Sequence, residues 1–309
     1  MLASVVDSWL ASWAWRLHAG AGARARPAAS GFSYVETPAG KVRCIDSGGK
    51  GPVVVFVPDG PNVVEHYQEL IARMASSCRV ICFDMPGFGF SIPGPRYAHS
   101  LDQGAAVVMA VLDHFGIEKA TLAFSCANGF YALRVAALAP ARVCGLVLSQ
   151  TPSLEAMHAW TARIVPGVLR IPVVGQLFGW LFREKAALGW YRAALPRGAD
   201  AKPFRDTARS ALHCGGCFSL AGVVQGLLKE PGTGLDVGGV PCTLFWGKGD
   251  RSHAPTDPYS LLALVPHAEV IELDDCGHFP DLEGKERYVP LLMARADRWS
   301  GREINAFQS

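Results

Sequence analysis

The chain has little charge and almost no charge imbalance. Acidic and basic residues make up 18% of its 309 residues, and 29 Lys and Arg against 27 Asp and Glu leave a net +2. An average soluble domain carries about a quarter charged residues. With no basic excess, nothing marks a nucleic-acid partner. The start of the chain lacks the basic opening of a secretory signal. The nine cysteines are odd in number and scattered. That pattern predicts reduced thiols in a cytoplasmic protein rather than a disulfide framework. The single C-x-x-C, Cys214 to Cys217, has no second pair at zinc-site spacing and no strand before it. It is expected to be structural, so no metal and no cofactor is expected. The motif G-x-S-x-G does not occur.

Half of the residues are hydrophobic, enough for one large α/β domain with an insertion. Leu2, Val5, Val6, Trp9, Leu10, Trp13 and Leu17 share one helical face, and Arg16, Arg24 and Arg26 follow. Asp7 and several serines make the run too weakly apolar to span a bilayer. Two readings stay open: an interfacial helix, resting on a membrane surface or over the active site, or a helix packed on the domain's own surface. Phe32–Glu36 and Lys41–Ile45 read as an antiparallel pair, and Val53–Val57 as a strand buried on both faces. Arg79–Phe83, Ala120–Ser125, Gly145–Ser149, Pro241–Trp246 and Glu269–Leu273 continue the strands. Helical stretches such as Ser100–Phe115 and Glu286–Trp299 alternate with them, which predicts a parallel sheet covered on both faces. From Ser153 to Asp236 the alternation stops. Ile164–Phe182, broken by Pro166, Gly167, Pro172, Gly175 and Gly179, reads as short helices and turns.

Four stretches carry chemistry, and a fifth is a structural signature. Ala120–Tyr131 begins as an apolar strand and passes by a sharp turn into the helix former Ala132–Leu138, and a nucleophile on that turn sits at a helix N-terminus. Pro58-Asp59-Gly60-Pro61 follows the strand Val53–Val57. Gly247-Lys248-Gly249-Asp250 and Asp275-Cys276-Gly277-His278-Phe279-Pro280 follow the last two strands. Asp84-Met85-Pro86-Gly87-Phe88-Gly89-Phe90-Ser91 is the most specific run of all.

Together these resemble the α/β-hydrolase superfamily over about Phe32 to Trp299. Its members carry D-x-P-G-x-G-x-S, W-G-x-x-D and G-H-x-P at these places and a nucleophile elbow at the turn. The resemblance implies an α/β-hydrolase fold: a mostly parallel central sheet covered by helices on both faces, with an inserted helical cap. The expected divisions are 1–30 (helix and linker), 31–152 (core), 153–236 (cap) and 237–309 (core). The resemblance implies Asp250 as the triad acid and His278 as the base. Counting inward from Gly116–Ala120 and from Pro140–Leu148 puts Cys126 at the nucleophile position, with Phe124 and Asn128 replacing the flanking glycines. A shifted register takes Ser125, flanked by Ala123 and Ala127. The oxyanion hole falls to the N–H groups of Gly60 and Ala127. Asp59 replaces a glycine there. It is a candidate substrate contact, as are Phe124 and Asn128. His253 and Asp257 fit no motif and are expected at the surface.

A cysteine here implies a Cys-His-Asp triad whose thiolate forms readily near neutral pH. The expected reaction is acyl transfer, to water or to another acceptor, from a small-molecule ester or thioester with an apolar acyl part. A carrier-bound acyl group is a second form of the same substrate. The alternatives are a serine esterase using Ser125 and a non-catalytic binding protein of this fold. A dehalogenase would place an aspartate at the elbow. The expected location is cytoplasmic, with membrane association through the N-terminal helix left open.

Overall fold

The computed structural model describes residues 2–19 and 31–301. Most of the expected linker, with Arg24 and Arg26, lies outside the described residues. The strands are β1 (Phe32–Thr37), β2 (Gly40–Asp46), β3 (Val53–Val57), β4 (Arg79–Phe83), β5 (Ile92–Pro93), β6 (Ala120–Ser125), β7 (Val143–Ser149), β8 (Cys242–Gly247) and β9 (Glu269–Leu273). They form one sheet in the order β1-β2-β4-β3-β6-β7-β8-β9, with β5 pairing β2. From β4 to β9 every neighbour is parallel, while β1, β2 and β5 make the antiparallel edge.

The helices are α1 (Leu2–Ala19), α2 (Gln68–Met74), α3 (Leu101–His114), α4 (Gly129–Leu138), α5 (Leu154–Ile164), α6 (Val174–Ala194), α7 (Lys202–Ala211), α8 (Ser219–Gln225), α9 (Pro280–Glu283) and α10 (Lys285–Trp299). Strand alternation divides the core in two. Val55 and Val57 pack with α3 and α4 on one face; Val54 and Phe56 pack with α2 and α10 on the other. Ser100 caps α3 by accepting from the Gln103 N–H. Helices α5 to α8 all fall between β7 and β8, within the stretch where strand alternation stops.

One expectation is corrected inside that insertion. Gly175 and Gly179 do not break the chain, and α6 runs unbroken for 21 residues. These glycines are there for close approach. A Cβ on Gly175 would meet the Leu169 backbone oxygen at 2.7 Å, and one on Gly179 would meet the Cys217 oxygen at 2.9 Å.

The loop Asp84–Ser91 is a structural clasp, as the sequence predicts. Ser91 Oγ donates to Asp84 O and accepts from Arg43 N, tying the loop to β2. The Arg43 guanidinium bridges Asp84 and Glu65. Gly89 stands at φ +55, and a Cβ on it would overlap the Asp84 carboxylate. Gly89→Ala is therefore expected to cost about 2–4 kcal/mol, as left-handed strain adds to disruption of a buried ion pair. Urea unfolding checks this; a change below about 0.5 kcal/mol would show that the clasp re-forms elsewhere.

Candidate active site

The residues with candidate roles stand on four loops at the C-terminal ends of parallel strands: Asp59 after β3, Cys126 after β6, Asp250 after β8 and His278 after β9. This is where an open α/β sheet leaves its crevice. Cys126 adopts φ +50, a left-handed conformation uncommon for a residue with a side chain. Ser125 remains extended at φ −115 and ψ 146. The turn thus raises Cys126, while the Ser125 hydroxyl donates to Asp281 Oδ2 at 3.1 Å. Asp281 also accepts from Tyr67 at 2.6 Å.

His278 Nδ1 lies 2.6 Å from Asp250 Oδ2. A ring nitrogen of His278, the Cys126 sulfur and an Asp59 carboxylate oxygen lie within 4.8 Å of one another. His278 Nε2 faces Asp59 Oδ2 at 3.3 Å, at ion-pair distance but without the alignment of a hydrogen bond. The Ala127 N–H lies close enough to the Cys126 sulfur to stabilise negative charge on it. Asn128 Nδ2 donates to Pro58 O at 2.9 Å, holding the elbow against the loop that carries Asp59 and Gly60. Phe124 packs in the hydrophobic core. Gly129 is required by crowding, since a Cβ there would overlap Thr151 Oγ1; that hydroxyl donates to Cys126 O.

The electrostatics correct one expectation. The Cys126 thiol is not poised as a thiolate: burial pushes its pKa up and the Asp59 charge adds to this, to about 11 in spite of His278 and the Ala127 N–H. Burial disfavours a charged His278, but the Asp250 carboxylate and the Cys126 sulfur, with Asp59, outweigh it and carry the imidazole well above its ordinary value. Burial likewise raises Asp250, yet His278 and the hydrogen bond from Gln150 bring it well below the usual carboxylate range. Asp59 is raised, first by burial and then by Asp250, against the pull of His278.

Two residues at the site were missed. Gln150 has no carboxylate of its own, but it orients the one on Asp250. Its Nε2 donates to Asp250 Oδ2 at 3.0 Å, and its Oε1 accepts from Gly247 N at 2.7 Å. His253 is not at the surface. Asp250 Oδ1 accepts from the N–H and hydroxyl of Ser252, which turns the chain inward. His253 then stacks between Trp160, at 5.0 Å, and His278, at 5.4 Å. Burial first, then the His278 charge, lowers its pKa to about 3, so it is a neutral ring. No motif could have shown this; Asp257 is exposed as expected.

Helix α6 closes the site. Trp190 sets its edge on the His278 ring at 4.9 Å, and Tyr191 donates to Asn62 Oδ1 at 3.0 Å. The backbone N–H of His278 donates to Ala194 O at 2.9 Å. His278 is 0% exposed and Cys126 3%, so the cluster is sealed under an apolar roof of Trp160 and Trp190.

The sequence is also similar to known hydrolases. Haloalkane dehalogenase 2 of Mycobacterium tuberculosis is 23% identical over 277 residues, covering 85% of this chain and 93% of the relative. A 2-hydroxy-6-oxononadienedioate/2-hydroxy-6-oxononatrienedioate hydrolase of Paraburkholderia phymatum is 28% identical over 271 residues, covering 82% and 90%. Among solved structures, the Cif epoxide hydrolase of Acinetobacter nosocomialis superposes with a TM-score of 0.71 at 13% identity, covering 92% of this chain and 96% of that one. The enol-lactonase of Burkholderia xenovorans gives 0.64 at 18% identity, covering 85% and 99%. The sequence model of the alpha/beta hydrolase family matches residues 54–291, from β3 into α10. With the elbow, the strand order and that match together, this chain belongs to the alpha/beta hydrolase family.

Proposed function

We propose that this enzyme transfers the acyl group of an ester or thioester through a covalent intermediate on Cys126. The observation that carries the reading is the elbow itself. Cys126 holds the left-handed position, its sulfur stands beside His278, and the Nδ1 of that ring is 2.6 Å from Asp250. The sulfur attacks the acyl carbonyl as the neutral form of His278 takes its proton, and the oxyanion meets the N–H groups of Gly60 and Ala127. Collapse expels the alcohol or thiol, which takes the proton back from His278. Asp250 holds the imidazole's tautomer and stabilises its charge. The tryptophan roof favours an apolar acyl part and keeps water from the thioester. Water or another nucleophile then completes the turnover. Ser125 is the weaker nucleophile, because its hydroxyl is committed to Asp281.

A second reading is favoured by the 3.3 Å approach of Asp59 to His278. In it, Asp59 and His278 together activate a water molecule and Cys126 forms no bond. Intact mass after incubation with acyl thioesters and aryl esters, followed by peptide mapping, separates the two. The expected result is one acyl group on Cys126 that persists until an amine is added and that forms far more slowly in His278→Ala. Turnover that survives Cys126→Ala, with no adduct, overturns the covalent reading in favour of the second. An adduct on Ser125 overturns it in favour of a serine esterase.

A further inference from the structure

Helix α1 is packed with its apolar side outward. Among its described side chains, those it buries are Ser4, Asp7, Ala11 and Ala14. The helix lies on the turn at residues 212–216, where a Cβ on Gly215 would meet Ala11 Cα at 2.9 Å, and against α8, where one on Gly222 would meet Asp7 Oδ2 at 2.7 Å. The opposite stripe, Val5, Trp9, Trp13 and Leu17, faces solvent, and Trp9 is 66% exposed. Helix α6 repeats the arrangement over its first half. Gly175, Gln176 and Gly179 point inward, while Val174, Leu177, Leu181 and Phe182 point out, with Leu181 65% exposed. The two helices meet where Trp13 lies against Trp180, with ring centres 6.5 Å apart. Their apolar stripes therefore form one surface.

A chain that buried all the apolar surface it could would turn these stripes inward. The charges around them have one sign. Among the described residues, the exposed ionic side chains on α1, on α6 and on the turn before α6 are Arg16, Arg170, Lys185 and Arg192. The acids are withdrawn: Asp7 is buried, and Glu184 is held by Arg205, Arg209 and His213. Exposed tryptophans and leucines on elements whose exposed ionic groups are all cations match a lipid surface with anionic headgroups. A second copy on the same face would bring like charges together across a two-fold axis. No single described helix is long and apolar enough to cross a membrane, so the contact lies in the plane of the surface.

We propose that the joined outer faces of α1 and α6 dock on an anionic lipid bilayer. Trp9, Trp13, Leu177 and Leu181 enter the headgroup region, while Arg16, Arg170 and Lys185 meet lipid phosphates. The same α6 carries Trp190 onto His278, so the helix that touches lipid also roofs the cluster of Cys126 and His278. Docking requires no residue of that cluster, and its test is independent of how the site is read.

The experiment is co-sedimentation of the full chain with vesicles of phosphatidylcholine alone or mixed with phosphatidylglycerol, at low and high salt. The expected result is pelleting with the anionic vesicles that weakens with salt, together with quenching of tryptophan fluorescence by brominated lipid. Trp9→Ser with Leu181→Ser should cut the bound fraction about tenfold or more, since two large apolar side chains are lost from the contact. Arg16→Glu with Lys185→Glu should abolish the preference for anionic lipid. Circular dichroism melting verifies that each variant folds; both changes are on exposed positions. No pelleting at low salt, equal pelleting with neutral vesicles, or binding that ignores the Trp9/Leu181 variant would overturn the proposal. A dimer in sedimentation velocity that the same variant dissociates, without vesicle binding, would give the face to a second copy.

Discussion

Asp250→Asn is expected to slow formation of the Cys126 acyl adduct about 10⁴-fold while leaving the fold intact, as loss of the acid does in triads of this kind. The carboxylate has two separate jobs. Its Oδ1 takes the Ser252 N–H and hydroxyl, at 2.8 and 2.7 Å, and its Oδ2 takes Gln150 and His278. Asparagine fits the same space but has one acceptor oxygen. If that oxygen stays with Ser252, an NH₂ faces both the His278 ring and the Gln150 amide. The ring is then driven to the wrong tautomer, and the charge that stabilises the imidazolium is gone. The rate of mass gain on Cys126 is the measurement. A loss smaller than about tenfold would remove Asp250 from the triad, because orientation and charge would both have proved dispensable.

Asp59→Asn is expected to make Cys126 more acidic. A negative carboxylate beside the sulfur disfavours a second negative charge, so it raises the thiol pKa; removing it lowers that pKa. The native thiol sits at about 11. At pH 8 it is then thiolate about one part in a thousand, and each unit of decrease raises that fraction about tenfold. The pH-dependent ultraviolet absorbance of the thiolate, with Cys126→Ala subtracted, reads the shift directly and needs no reagent to enter the sealed site. A fall of about one unit is expected, with acylation near pH 8 faster by about tenfold. An unchanged titration would mean that Asp59 carries no charge at rest. A fall in turnover of about a hundredfold would instead make Asp59 a working acid–base group and favour the second reading of the site.

These two results bear on the residue that the sequence explained least. Asp59 stood out only as a carboxylate where a glycine is usual. Its partner, His278, follows the last strand of the sheet, and nothing local specifies that the two loops meet. The same holds for His253, which reads as a surface residue until the Asp250–Ser252 turn folds it under Trp160. By contrast, the elbow and the candidate acid and base are legible because the loops that carry them resemble family motifs, W-G-x-x-D and G-H-x-P among them. The register of the elbow needed the backbone. Cys126 and Ser125 are adjacent, and only the torsion angle at 126 separates the residue presented to the crevice from the one turned to Asp281.

The order of strands and helices and the parallel sheet were readable in the linear sequence. Periodicity and turn-forming residues act locally, and local information suffices for these. Three features exist only once the chain is folded. The protonation of the site is one, because charge interactions depend on distances between residues remote in the chain. The membership of Gln150 and His253 in the site is another. The third is the direction in which α1 faces. Periodicity says that Val5, Trp9, Trp13 and Leu17 share a stripe, but it is the close contact of Ala11 with Gly215, which only small residues allow, that turns the stripe outward.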